Sequence, residues 1–156
     1  MFSKLTTAFL AAVLVFMQVN AQESHTVTFT NNCGYGTPYL RGQNGDVLST
    51  GGPYTSDGSL LGLIAYLQTG NCGDDGESCT LVEVTLENSS GSAADISLVP
   101  PHEFSVTSGF GYYNGCDGVG EDCTSADCPC AFTDATNGCV ISCGTDNVDI
   151  AITFCD

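Results

Sequence analysis

Ten cysteines, all lying between positions 33 and 155, constrain this 156-residue chain more than any other feature. An even count at that density reads as a disulfide framework in an oxidising compartment, and as a metal cluster in a reducing one. The first 21 residues decide between the two. Lys4 precedes an apolar stretch from Ala8 to Met17, and Val19-Asn20-Ala21 supplies the small or tolerated residues that a signal peptidase reads. We therefore expect a secretory signal over residues 1–21 and one domain over residues 22–156. The apolar stretch is about ten residues, against the roughly 20 that cross a bilayer as a helix, and no later segment is apolar enough to span. A secreted, extracellular protein without membrane insertion follows. Even the dense run from Cys123 to Cys130 is then read as disulfides, and with no free thiol a Cys–His nucleophile drops out. His25 and His102 are read as ordinary surface or turn residues.

Charge removes further classes. The chain has 2 Lys+Arg against 18 Asp+Glu, and Arg41 is the only cation of that kind after Lys4. Nucleic acid and anionic lipid both need clustered Lys and Arg, so neither is an expected partner. Disorder is excluded by a composition that is 42% hydrophobic, enough to offset the entropy of ordering.

Short alternating segments separated by Gly, Asn, Asp and Ser clusters recur along the chain, as in strands with one buried face. Val27 and Phe29 oppose Thr26, Thr28 and Thr30. Val82, Val84 and Leu86 oppose Glu83 and Thr85, while Ile96 and Leu98 oppose Asp95 and Ser97. In the last segment Val148, Ile150, Ile152 and Phe154 are expected to line the core, with Asp149, Ala151 and Thr153 outside. Leu60 to Leu67 is nearly continuous and apolar, as in a central strand buried on both faces. No stretch keeps a 3.6-residue apolar period with caps, so the expectation is an all-β, disulfide-stabilised antiparallel β-sandwich. Asn88 to Ala93 reads as a hairpin loop, and Asn88-Ser89-Ser90 within it is an N-glycosylation sequon.

Three pieces taken in order resemble thaumatin-like proteins, specifically the small secreted fungal ones of glycopeptide type. They are Val27-Thr28-Phe29-Thr30-Asn31-Asn32-Cys33; Thr69-Gly70-Asn71-Cys72 to Cys79 with the segments Leu81–Leu86 and Asp95–Val99; and Ile150-Ala151-Ile152-Thr153-Phe154-Cys155. The resemblance implies a thaumatin/osmotin-like sandwich that lacks the family's second domain. It also selects among the roughly 900 pairings open to ten cysteines. The implied bridges are Cys33–Cys155, Cys72–Cys79, Cys116–Cys143 and Cys123–Cys128, which leaves Cys130 and Cys139 to each other.

Larger members of that family carry an acidic cleft of one arginine, one glutamate and three aspartates, linked in some with β-1,3-glucan binding or cleavage. The resemblance places Glu83 and Asp95 at the glutamate and the first aspartate. The next aspartate is replaced by Val99-Pro100-Pro101-His102-Glu103, the arginine region reads Ile64-Ala65-Tyr66, and Cys130 takes the place of the last aspartate. Glu103 is a candidate substitute. Solvated sheet residues are the competing reading of Glu83 and Asp95, because 18 acidic residues make chance pairs easy.

Phe110, Tyr112 and Tyr113, flanked by glycines, are candidate platforms for sugar rings. The same alternation equally puts Phe110 and Tyr112 into a strand's core with Tyr113 at an edge. Asp117, Glu121 and Asp122 do not fit a calcium loop and read as solubilising charge, so no metal or cofactor is expected. The leading expectation is a non-catalytic protein that binds a cell-wall polysaccharide of the β-1,3-glucan class, or a host or microbial surface. Alternatives are a weak endo-β-1,3-glucanase using Glu83 and Asp95, and an effector or inhibitor with a protein target.

Overall fold

The computed structural model describes residues 22–156, so the expected leader at 1–21 lies outside the described residues. The strands are β1 (His25–Asn31), β2 (Thr37–Arg41), β3 (Val47–Ser49), β4 (Tyr54–Ser56), β5 (Leu60–Gln68), β6 (Leu81–Leu86), β7 (Ser92–Ser97), β8 (Ser108–Tyr113), β9 (Gly120–Cys123), β10 (Ile141–Cys143) and β11 (Asp149–Phe154). They form a five-stranded sheet of order β4-β1-β11-β8-β9 and a six-stranded sheet of order β10-β7-β6-β5-β2-β3. Among the described residues no helix is long and apolar enough to cross a membrane.

Period-two patterning sets which face of each strand is buried. In and beside β11, Val148, Ile150, Ile152 and Phe154 are all fully buried. They pack with Val27 of β1, Leu63, Ala65 and Leu67 of β5, Val82, Val84 and Leu86 of β6, and Ile96 of β7 in one core between the sheets. Each such side chain withdrawn from water contributes roughly 1.5–3 kcal/mol. Outside that core, on the other face of the six-stranded sheet, Tyr66, Cys79 and Leu81 form a second buried cluster with Tyr39, Ile64 and Cys72.

Several expectations are corrected here. The sandwich is not wholly antiparallel: β1 and β11 run parallel, with Val27 opposite Ile150 and Asn31 opposite Phe154. Parallel neighbours need a long connection, and here nearly the whole domain intervenes. Both strands end at the same place, where Cys33 and Cys155 are joined. His25 is no surface residue but fully buried, because both ring nitrogens find partners. Nδ1–H donates to Val148 O at 2.7 Å and Nε2 meets Glu23 Oε1 at 3.1 Å. Asp149, expected outside, is buried since its carboxylate accepts from Thr26 N at 2.6 Å and from Asn114 Nδ2. The apolar run of β5 is covered on both faces only from Ala65 to Leu67. Leu61 is 46% exposed beside a register shift between Leu60 and Leu63.

The remaining disulfides are Cys72–Cys79, Cys116–Cys143, Cys123–Cys128 and Cys130–Cys139, with Cα separations of 4.8–6.0 Å. These are the pairs that the thaumatin-like resemblance implies, and no described cysteine is free.

Candidate functional site

Strand register brings four residues into a single transverse row on the outer face of the six-stranded sheet. Arg41 of β2 stands opposite Ile64 of β5, Ile64 opposite Glu83 of β6, and Glu83 opposite Asp95 of β7. The two candidate carboxylates are therefore direct cross-strand neighbours. Residues so placed carry Cβ atoms about 4.5–5.5 Å apart, close enough for like charges to repel strongly.

Asp95 is disfavoured as a carboxylate by its burial and by that repulsion. Burial first, then the charges of Glu83 and Glu121, push its carboxyl from 3.8 up to about 7. Glu121 reaches it from β9, at the edge of the other sheet. Its own carboxyl is raised by burial and by Asp122, and its buried Oε2 has no hydrogen-bond partner. The pair thus offers an O–H donor on Asp95 below about pH 7 together with acceptor oxygens on both residues.

Arg41 shares the row but serves another neighbour. Its Nη2 donates to Gly45 O at 2.7 Å and its Nη1 lies 3.6 Å from Asp74 Oδ1. Asp74 belongs to the loop closed by Cys72–Cys79, whose backbone also accepts the Tyr66 hydroxyl at 2.8 Å. The guanidinium clamps that loop over the outer aromatic cluster, two strands from Glu83. The thaumatin-like resemblance puts the arginine region at Ile64-Ala65-Tyr66, where this chain has no arginine. The signal for Arg41 lies in the β2–β5 register, which the order of residues along the chain does not display.

An open groove of about 360 Å³ runs over the acid pair, with Ser97, His102, Phe132 and Asp134 among its other lining residues. A smaller depression of about 260 Å³ shares Glu83 and Asp95 and extends to Ile64 and Thr85. The Phe132 wall is held by the backbone: Phe132 N donates to Ile96 O at 2.8 Å and Leu98 N to Phe132 O at 2.7 Å. Gly138 closes the Cys130–Cys139 loop behind it. At that position φ is +92°, and a Cβ would lie 2.5 Å from the Phe132 ring, so only glycine fits without displacement. Asp134 is held below the usual carboxylate range by hydrogen bonds from Thr136, which bind it to its own loop. His102 donates through Nδ1 to Gly76 O at 3.0 Å, leaving Nε2 as its free acceptor.

The other sequence candidates fall elsewhere. Phe110 and Tyr112 are 5% and 3% exposed and meet edge to face inside the core, so they do not serve as sugar platforms. Gly109 and Gly111 alternate with them on the opposite face of β8, which is why the strand buries both rings. The Tyr112 hydroxyl donates to Ile141 O at 2.9 Å and ties edge strand β10 to the core. Replacing Tyr112 by Phe is expected to cost about 1 kcal/mol, read from the midpoint of urea unfolding; an unchanged midpoint would contradict this tie. Tyr113 is half-buried near Thr28. Glu103 lines a different cavity from the acid pair. Asn88 is half-buried and exchanges hydrogen bonds with Asn147, donating from Nδ2 at 3.1 Å and accepting Asn147 N at 2.7 Å. No group of three or more His, Cys, Asp or Glu side chains is arranged to hold a metal among the described residues.

No protein-family model matches the chain, and no curated protein matches it. Solved structures do. The crystal structure of the protein elicitor MoHrip2 from Magnaporthe oryzae aligns with a TM-score of 0.53 over 86% of this chain and 99% of that chain, at 16% identity. The two share a fold: two sheets in sandwich-like packing, disulfide-stabilised in the present chain.

Proposed function

We propose that this chain is a secreted, non-catalytic protein of thaumatin-like type that binds a cell-wall polysaccharide of the β-1,3-glucan class in the outer-face groove. One observation carries the reading: register makes Glu83 and Asp95 neighbours on the floor of an open groove walled by Phe132. Sugar hydroxyls need paired donors and acceptors, which the carboxyls supply, and sugar rings present apolar faces to an aromatic wall. A partly buried carboxyl raised to about 7 beside a second acid in a groove supports a functional site. The fold shared with a fungal elicitor agrees with action outside the cell.

The raised Asp95 favours a second reading, a weak endo-β-1,3-glucanase. Hydrolysis by two carboxyls needs one that keeps its proton near neutral pH, and Asp95 is such a group with a second acid beside it. Asp95 would then be the acid and Glu83 the nucleophile.

Mixing the secreted protein with insoluble β-1,3-glucan, then measuring depletion from solution and release of reducing ends, separates the two. Binding predicts depletion without release, and Glu83→Gln weakens depletion severalfold. Release that disappears in Glu83→Gln would establish the hydrolase. Absence of both would reject the groove as a glucan site and point to a protein target.

A further inference from the structure

A cavity larger than the groove lies away from the acid pair. It measures about 590 Å³ and is lined by Tyr35, Thr69, Asn71, Ser78, Glu103 and Ser105, with Phe104 beside them. The segment from Val99 to Val106 separates it from the groove, so that His102 lines one and Glu103 the other.

Its walls are fixed before any ligand arrives. Ser105 N donates to Thr80 Oγ1 at 2.9 Å and Thr80 N to Ser105 Oγ at 3.0 Å, while Glu103 N donates to Cys79 O at 3.3 Å. Cys79 is in turn bonded to Cys72, next to Asn71. Tyr35 follows the Cys33–Cys155 bridge, and its carbonyl accepts from Asn31 Nδ2 at 3.0 Å, which holds the turn while leaving the residue 57% exposed.

We infer that this cavity is a second binding site, for a neutral hexopyranose chain, with Tyr35 as the stacking platform and Glu103 and Asn71 as partners of the sugar hydroxyls. The lining chemistry selects the class. An exposed aromatic ring gives the apolar face of a sugar a surface, and amide, hydroxyl and carboxylate groups match its rim. No cation lines the cavity, and the chain carries 18 acidic residues against 2 basic ones, so uronates and phosphorylated glycans are repelled. The volume lies within the range of sites that enclose a small ligand. Fixed walls lower the ordering cost that would otherwise oppose weak sugar contacts.

The test is an amide-resolved NMR titration of the disulfide-intact protein with a β-1,3-glucan hexamer, a chitin hexamer and a polygalacturonate hexamer. One or both neutral hexamers are expected to shift the amides of Tyr35, Asn71 and Ser105, and the uronate hexamer neither. Tyr35→Ala should weaken binding at least tenfold and Glu103→Gln at least threefold, whereas Glu83→Gln leaves these shifts in place. Because Tyr35 and Glu103 are exposed, both variants should keep the wild-type spectrum elsewhere. Silence at the three amides with both neutral hexamers overturns the inference, as does equal response to the uronate or shifts that survive Tyr35→Ala. Shifts confined to Ser97 and Phe132 would reject this site and keep the groove; shifts confined to Tyr35 and its neighbours would do the reverse.

Discussion

Removing the bridge between the first and last strands, by Cys33→Ala with Cys155→Ala, should lower stability by about 5 kcal/mol, because closing a loop this long restricts the unfolded chain most. The two cysteines are 122 positions apart, and each lies just past the end of a strand. Without the bridge, β1 and β11 must find their parallel register by a closure that spans almost the whole domain. Typical domains are stable by only 5–15 kcal/mol, so the variant should sit near its unfolding threshold at physiological temperature. Loss of Cys123–Cys128, which closes a separation of 5, should cost only about 2 kcal/mol on the same reasoning. Urea unfolding of both variants checks the order. Equal losses, or a larger one for the short loop, would mean that the long bridge does not act through chain entropy.

Asp95→Asn should stabilise the fold, and only above acid pH. In the unfolded chain Asp95 gives up its proton near 3.8; folded, beside Glu83 and Glu121 and partly buried, it keeps the proton up to about 7. The stability contributed by this group is thus fully present below pH 3.8, declines as the unfolded state ionises first, and is gone above about 7. The full difference corresponds to about 4 kcal/mol. Part of the carboxyl still faces water, and that screening reduces the expected gain to ~1–2 kcal/mol. Unfolding free energies from urea titration of wild type and Asp95→Asn should coincide at pH 3.5 and separate by this amount at pH 8. A variant no more stable than wild type at pH 8 would show that burial and the neighbouring acids do not disfavour the Asp95 carboxylate.

The stabilising change is also the one expected to impair the groove. A strongly perturbed carboxyl in a groove is a candidate for a functional role, and loss of glucan depletion in the same variant would support it.

What the chain reveals on reading depends on whether the controlling contact is local. Alternation exposes the core rows of β6 and β11, because a one-residue slip would turn Val84 or Ile152 to solvent. It also offers burial of Phe110 and Tyr112 as one reading, since Gly109 and Gly111 take the outer face of β8. Asp149 breaks the same alternation. Its carboxylate answers a backbone donor at Thr26, 123 positions away, and no local pattern encodes such a partner. His25 escapes for a like reason, its ring being satisfied by Val148 and Glu23. Glu83 and Asp95 were legible as candidates through family resemblance and outward strand positions; the row that unites them with Arg41 required the register of four strands. Glu103 and His102 adjoin in sequence but line different hollows, because the backbone between the two cavities turns there.

Binding, cleavage and the pH-dependent stability all presuppose that Glu83 and Asp95 share one electrostatic environment. Carbon-detected NMR titration of the Asp95 carboxyl, in wild type and in Glu83→Gln, measures this directly. A wild-type midpoint near 7 that falls when Glu83 is neutralised is the expected result. A midpoint near 4 that ignores the substitution would contradict the paired site.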